Sequence, residues 1–297
     1  MNRAEQMLLE TIQKGRLLDT SGILRKYMDI PYGSDCMQKL NIYLPNEGDG
    51  PFPTIIYVHG GAWSVGDKSD SQIKTFLPGL DRGYAVVSVG YRLLPDVHYP
   101  ENLFDVKAAM RWCAQHGSEY SLDTDRVALT GASAGAQLML MAVFTQGVPA
   151  FEGAPLGPVC NIRAVVDQFA PTDFRNMRRD YDESGYDRAD KLKSDAPGPA
   201  NALMGFNVDD SLRMFAFASP IYSVHKDIPP VLILHGQYDS KVPYQQSVRL
   251  AEKIKSIAGP EKVKLVISPE CEHADTKYDD EPYTSIIFDF LDPLVKG

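Results

Sequence analysis

One serine, one aspartate and one histidine occur in an order that would suit a hydrolytic site. Ser133 lies between two glycines in TGASAGA, Asp239 closely follows the apolar run VLILHG, and His273 lies in CEHAD near the end of the sequence. A serine hydroxyl is a weak nucleophile until a histidine takes its proton, and a carboxylate can orient that histidine. These residue types therefore predict nucleophilic attack on a carbonyl carbon.

The segments around Ser133 favour a nucleophile over a simple turn. An apolar run that is typical of a strand ends at Thr130, and the following AGAQLMLMAVF is typical of a helix. The pattern G-x-S-x-G between a strand and a helix is the nucleophile elbow, in which small neighbours allow a strained backbone at the serine. The pentapeptide alone is as common in small-residue turns, so its interpretation depends on the rest of the site.

A second glycine motif supplies the groups that such a serine would need. HGGAW follows the buried run TIIYV, and its glycines can direct main-chain N–H groups into a site. We expect the N–H groups of Gly60, Gly61 and Ala134 to form an oxyanion hole for a tetrahedral intermediate. Two glycines could instead only make a turn, but both motifs occur at strand ends and in the required order.

Six histidines are candidates for the base, and two aspartates in loops that follow strands are candidates for the acid. His273 is the preferred base because its loop follows the penultimate apolar run, whereas His235 ends a strand and is expected to be buried. His116 lies late in a helix and is expected to be solvated. Asp173 is the rival acid, but Asp239 lies in the strand-end loop that usually carries this role.

The elements that would position these residues alternate between strand and helix. Eight short β-rich runs predict a mostly parallel eight-stranded sheet whose first two strands form an antiparallel edge. The predicted helices cover about 3–17, 101–117, 134–146, 244–257 and 284–292. We expect one α/β domain over 1–297, with a lid-like insertion at 173–218. The charges at 178–183 within that insertion are expected to form a solvated face.

Composition excludes several classes of partner and cofactor. The net charge of −9 disfavours binding to nucleic acid or to an anionic membrane, since both are polyanions. The four cysteines lie far apart, which predicts neither a metal site nor a disulfide framework. We expect no cofactor, no membrane span and no secretory signal, and hence a cytoplasmic protein. The oligomeric state stays open.

The motifs together resemble those of α/β-hydrolase esterases. HGGAW, VGYRLLPD, ALTGASAGA, FAPTDF, PPVLILHGQYD and CEHAD occur in the family's order from about residue 38 to the end. The sequence is similar to hormone-sensitive-lipase-like carboxylesterases and to the acetyl and feruloyl esterases that act on carbohydrate. The resemblance implies that Ser133 is the nucleophile, His273 the base and Asp239 the acid.

The resemblance also implies roles around the site. It matches Gly60, Gly61 and Ala134 to the oxyanion hole and predicts a structural ion pair between Arg92 and Asp105. Trp63 follows the oxyanion glycines and is expected either to line an acyl pocket or to be a core aromatic residue. Ala132 and Ala136 replace the aspartate and glycine of the hormone-sensitive-lipase-like group, which disfavours that group. The stretches SPIYSV and PPVLILHGQYD fit the carbohydrate esterases better.

These patterns predict a serine hydrolase that cleaves carboxylic esters through an acyl-enzyme. A short acyl group is expected, with acetyl or feruloyl esters of carbohydrate or other small molecules as substrates. An amidase, peptidase or thioesterase could use the same three residues. A ligand-binding receptor on the same scaffold is the alternative outside catalysis.

Overall fold

An eight-stranded sheet forms the centre of the molecule. A computed structural model describes residues 1–154, 156–184, 199–205 and 212–297. In sheet order the strands are β1 (Lys26–Pro31), β2 (Lys39–Tyr43), β4 (Ala85–Val89), β3 (Phe52–Val58), β5 (Leu122–Ala132), β6 (Ile162–Gln168), β7 (Val231–Gly236) and β8 (Val263–Ser268). All of the predicted runs are strands.

The sheet is parallel from β4 through β8, and β1 and β2 form its antiparallel edge. Every residue of β3, β4 and β7 is buried, as expected for strands with packed elements on both faces. The prediction of a mostly parallel α/β sheet is confirmed. Because parallel strands end at the same edge, the loops after β3, β5, β6, β7 and β8 are brought together there.

Helices cover both faces of the sheet. They are α1 (Arg3–Gln13), α2 (Pro78–Asp81), α3 (Glu101–His116), α4 (Ala134–Phe144), α5 (Met177–Ser184), α6 (Pro199–Met204), α7 (Leu212–Ala218), α8 (Gln245–Ile257) and α9 (Tyr283–Val295). Ile56 and Val58 of β3 face the core with α3, α4 and α8, while Ile55 and Tyr57 face the core with α9. This alternation follows from the two-residue period of a strand.

The described parts of the segment predicted as a lid pack against the α3 and α4 side. The main-chain N–H of Tyr99 donates to Leu203 O at 3.0 Å, and the Tyr99 hydroxyl donates to Phe217 O at 2.9 Å. Leu203 is fully buried. Helices α6 and α7 are thus fixed to the body of the domain, whereas 185–198 and 206–211 lie outside the described residues.

The expectation of a solvated charged face at 178–183 is wrong for Asp180. This residue of α5 is fully buried, and its carboxylate accepts hydrogen bonds from Gln246 Nε2 at 2.7 Å and from Arg249 Nη1 at 2.6 Å. A buried carboxylate is stable when such partners satisfy it. Both partners lie on α8, more than sixty residues away in the sequence, so local composition could not reveal them.

In the part of the chain that the structure describes, no helix has the length and apolar character needed to cross a membrane.

Candidate active site

Ser133 occupies the sharp turn between β5 and α4. Its backbone angles, φ 52° and ψ −122°, are rarely adopted by a residue with a side chain, and such strain is typical of functional sites. The N–H of Ser133 donates to Gln168 O at 2.8 Å. A Cβ on Gly135 would lie 2.2 Å from His59 O, so only glycine allows α4 to approach β3 this closely.

The side chains of Ser133, His273 and Asp239 form one hydrogen-bonded chain. His273 Nε2 lies 2.9 Å from Ser133 Oγ, and His273 Nδ1 lies 2.6 Å from Asp239 Oδ2. A carboxylate only accepts, so Nδ1 carries the proton and Nε2 is left to accept from the serine hydroxyl. In this arrangement His273 could take a proton from the serine hydroxyl, and Asp239 could fix the orientation of the imidazole.

Asp239 is buried and held as an anion by several donors. The N–H groups of Lys241 and Val242 donate to Oδ1 at 2.8 and 2.7 Å. Burial opposes the charge, but His273 and His235 outweigh it, and the pKa of Asp239 is lowered well below its usual range. This carboxylate therefore stays ionised wherever the protein is folded near neutral pH.

His235 also contacts Asp239. The sequence predicts only that His235 is buried at the end of a strand. Its Nε2 lies 2.8 Å from Val242 O and 3.1 Å from Asp239 Oδ2, and its Nδ1 lies 2.6 Å from Ser247 Oγ. Because a carbonyl oxygen only accepts, the proton is on Nε2, and His235 donates toward Asp239. The feature of the sequence that could have indicated this contact is the four-residue separation of His235 and Asp239 across the end of β7.

Asp173, the rival acid, is engaged elsewhere. Its Oδ2 accepts hydrogen bonds from Asn176 Nδ2 at 2.6 Å and from Arg249 Nε at 3.1 Å. It ties the start of the 173–218 segment to α8. The geometry brings Asp239, and not Asp173, to His273.

The loop after β3 lies beside Ser133 and has an unusual backbone conformation. Gly61, Ala62 and Trp63 all have positive φ, at 129°, 50° and 59°. A Cβ on Gly60 would lie 3.2 Å from Ser133 Cβ, which places this loop directly beside the serine. Among the described residues, none accepts a main-chain hydrogen bond from the N–H of Gly60, Gly61 or Ala134. These donors are thus available to an anion, as an oxyanion hole requires.

Trp63 lies on the α4 side of Ser133 and is 4% exposed. Its Nε1 donates to Gln137 Oε1 at 3.1 Å, and its ring centroid lies 6.0 Å from that of Phe174. Gln137 Nε2 in turn donates to Ala218 O at 2.7 Å. Through Gln137, Trp63 therefore joins the glycine loop after β3 to the described end of the 173–218 segment.

The expected ion pair between Arg92 and Asp105 is present. Arg92 Nε and Nη2 donate to the two oxygens of Asp105 at 2.8 and 2.7 Å. Such a paired contact is more rigid than a single hydrogen bond. It braces the loop after β4 against α3 and has no contact with Ser133, in keeping with a structural role.

Asp167 has a buried carboxyl group near the end of β6. Its burial makes the free energy of unfolding depend on pH. Burial raises its pKa to about 7, so its proton is retained in the folded state when the unfolded chain has lost it. This contribution to stability is complete below the unfolded pKa of 3.8 and disappears as the pH rises to about 7. Asp167→Asn should therefore become more stable relative to wild type between pH 4 and 8, by on the order of 2–4 kcal/mol.

Urea unfolding of both proteins at several pH values measures this difference. Gln146→Ala, at an exposed position beyond α4, is the control because it removes no titratable group, and it should differ from wild type by the same amount at every pH. A constant difference between Asp167→Asn and wild type would show that Asp167 does not carry the effect.

The described residues contain no cluster of three or more His, Cys, Asp or Glu side chains that could hold a metal ion.

Comparison with known proteins assigns the family. The model of the BD-FAE family matches residues 40–254, which includes Ser133, Asp239 and the glycine loop. The chain belongs to the BD-FAE family. His273 lies beyond the matched range, so its place in the site depends on the geometry alone.

Individual relatives of the BD-FAE chain carry the names of esterases. "Probable carboxylic ester hydrolase LipM" of Mycobacterium tuberculosis is 27% identical over 82% of the chain and 51% of its own length. The chain spans about half the length of the curated relatives that it matches first. "Truncated form of carbohydrate esterase from gut microbiota" has a TM-score of 0.81 and 26% identity, and covers 95% of this chain and all of its own.

Esterase B from Lactobacillus rhamnosis has a TM-score of 0.77 over 99% of this chain and 94% of its own, at 23% identity. At this identity the likeness concerns the fold alone. The fold of this BD-FAE member is that of the α/β-hydrolase esterases, as its motifs predicted.

Proposed function

We propose that this protein is a serine hydrolase that cleaves carboxylic esters of short acyl groups through an acyl-enzyme. The observation that carries the proposal is the contact of His273 with Ser133 Oγ at 2.9 Å on one side and with Asp239 at 2.6 Å on the other. Proton transfer needs contacts of about this length. The esterase names of its relatives support the same reaction class.

In the first half of the reaction, Ser133 Oγ attacks the ester carbonyl while His273 Nε2 takes its proton. The carbonyl oxygen becomes an oxyanion and accepts hydrogen bonds from the N–H groups of Gly61 and Ala134, with Gly60 shaping the loop. His273 then gives the proton to the leaving alcohol, and the acyl group stays on Ser133.

In the second half, water replaces the alcohol. His273 takes a proton from the water, whose oxygen attacks the acyl carbon, and returns it to Ser133 Oγ as the acid leaves. Asp239 remains ionised throughout and stabilises the imidazolium that forms in each half. The ester and one water molecule balance the two steps, and no further reactant is required.

The acyl group would lie on the α4 side of Ser133. Trp63 directly follows the oxyanion glycines, and its contact with Phe174 makes an apolar wall there. Both residues are buried. The resemblance to acetyl esterases that act on carbohydrate supports a short acyl group such as acetyl.

Hydrolysis of p-nitrophenyl esters from acetate to octanoate, together with the ferulate, tests the proposal. The rate constant kcat/KM is expected to be highest for acetate and to fall as the chain lengthens. A matched acetanilide should be cleaved far more slowly than the acetate ester. Turnover of the anilide but not of the esters would support an amidase, and an absence of turnover with every substrate would contradict an enzymatic role.

A further inference from the structure

The Asp239 carboxylate lies between two imidazole rings, and each ring has a serine on its other side. Asp239 Oδ2 lies 2.6 Å from His273 Nδ1 and 3.1 Å from His235 Nε2. His273 Nε2 lies 2.9 Å from Ser133 Oγ, and His235 Nδ1 lies 2.6 Å from Ser247 Oγ. The same arrangement of serine and histidine therefore occurs on both sides of one carboxylate oxygen.

The inner pair, His235 and Ser247, cannot touch a substrate. Both residues are fully buried, whereas the side chain of His273 is 17% exposed. Any effect of the inner pair on a reaction at Ser133 must therefore pass through the structure around Asp239.

The proton of His235 is located by the oxygens that it faces. Nε2 lies 2.8 Å from Val242 O as well as near the Asp239 carboxylate, and neither a carbonyl nor an ionised carboxylate can donate. The proton is therefore on Nε2, and Nδ1 of the neutral ring accepts from the Ser247 hydroxyl. Like His273, His235 donates toward Asp239 Oδ2 and accepts from a serine.

The two rings differ in how firmly they are held. His235 belongs to β7 and has hydrogen-bond partners at both ring nitrogens within the core. His273 lies in the loop after β8, and its Nε2 must exchange partners during turnover. The N–H groups of Lys241 and Val242 fix Asp239 Oδ1. Without the His235 donor, the position of Oδ2 would depend on His273, the ring that Asp239 has to orient.

Phe169 also connects the two rings. Its ring lies edge-on to both, with centroids 6.5 Å from that of His235 and 4.8 Å from that of His273. The N–H of Phe169 donates to Leu234 O at 2.9 Å, which ties it to β7. A test of the hydrogen bond between His235 and Asp239 must therefore separate loss of the donor from loss of ring packing.

We propose that His235 is a positioning residue for ester hydrolysis, because its hydrogen bond fixes the Asp239 carboxylate that aligns His273 with Ser133. Ser247 supports this role by accepting no proton from Nδ1 and donating its own, which keeps the His235 proton on Nε2. The inference rests on the proposed esterase function. Alignment matters most when His273 becomes an imidazolium in the transition state, so loss of it lowers kcat rather than raising KM.

His235→Met and His235→Gln test the hydrogen bond. Both remove the ring and have side chains of equal length, but glutamine retains an N–H that can replace Nε2–H. With p-nitrophenyl acetate, His235→Met should lower kcat by about 10- to 100-fold and His235→Gln by less than about fivefold. In both variants KM should stay within about threefold of wild type. Loss of ring packing would affect the two variants equally.

Ser247→Ala tests the support of His235 with a smaller change in the core. It should lower kcat by about three- to tenfold, because Nδ1 loses its donor. The same substitution should cause no further loss in a His235→Met background, since it acts through His235. Ser256→Ala is the matched control, because Ser256 lies on the same helix and is exposed, and it should leave kcat unchanged.

Proton nuclear magnetic resonance reports the alignment of His273 without any turnover. The proton shared by His273 Nδ1 and Asp239 in their short hydrogen bond should resonate far downfield, and its absence from His273→Gln assigns it. We expect this resonance to move in His235→Met and in Ser247→Ala, and to keep its position in Ser256→Ala. A residue with a structural role alone would not move it.

The outcomes distinguish this inference from the esterase function. Equal losses of kcat in His235→Met and His235→Gln, a change in KM alone, or an unmoved resonance would overturn the positioning role and leave the esterase function intact. If wild type cleaves no ester while the resonance moves, the esterase function fails and the alignment of His273 by His235 stands. Thermal melting verifies the fold of each variant. If His235→Met does not fold, the kcat and the resonance of Ser247→Ala decide.

Discussion

Ser133→Ala is expected to lower kcat/KM for p-nitrophenyl acetate by about 10⁴- to 10⁶-fold. The substitution removes only Oγ, the atom that lies 2.9 Å from His273 Nε2, and leaves the imidazole without a group to activate. The oxyanion donors and the substrate subsites are unaffected, so the residual rate measures what binding alone contributes. Steady-state kinetics with protein of verified fold measures the loss.

The strained backbone at Ser133 makes the control important. Alanine at this position would have to adopt the φ of 52° that Ser133 has, and a misfolded elbow would also lose activity. Ser64→Ala, at a serine in the neighbouring glycine loop, is the comparison and should retain activity within about threefold of wild type. If Ser133→Ala retains more than about a hundredth of the wild-type rate while folded, Ser133 is not the nucleophile.

Asp239→Asn is expected to lower kcat by about 10³- to 10⁴-fold. The amide keeps the size of the carboxylate but cannot accept from every donor that surrounds it. Four groups donate toward Asp239, namely the N–H groups of Lys241 and Val242, His235 Nε2 and His273 Nδ1. An amide N–H directed at His273 Nδ1 would force the imidazole into the tautomer that cannot accept the serine proton.

Asp173→Asn is the matched control because it makes the same chemical change at the rival carboxylate. Asp173 pairs with Arg249 and has no bond to His273, so kcat should fall by less than about tenfold. Measurement of kcat for both variants with one ester distinguishes the two acids. Equal losses would contradict the assignment of Asp239, and a larger loss at Asp173 would reverse it.

The meeting of Ser133, Asp239 and His273 at one site could be predicted from sequence because their positions follow from local patterns. Ser133 lies at a junction of strand and helix with glycines on both sides, and Asp239 and His273 each follow a short apolar strand. Since parallel strands end at one edge of a sheet, these three loops had to meet there. The distances that make them a reactive chain come only from the structure.

The features that the sequence did not disclose depend on contacts between distant segments. Asp180 is buried because Arg249 lies on α8, and Thr75 donates a hydrogen bond to Asp279, which lies 204 residues further along the chain. His235 was correctly expected to be buried, but its hydrogen bond to Asp239 depends on the path of the chain between them. Periodicity locates elements along the chain and does not describe how two loops approach each other.

The most direct test of the central claim is covalent labelling with a fluorophosphonate, followed by peptide mass spectrometry. Attack by Ser133 Oγ on phosphorus displaces fluoride and leaves one stable adduct that imitates the acyl-enzyme intermediate. We expect one adduct per chain, located on Ser133, and none in Ser133→Ala. An unlabelled wild-type protein, or an adduct on any other residue, would contradict the account.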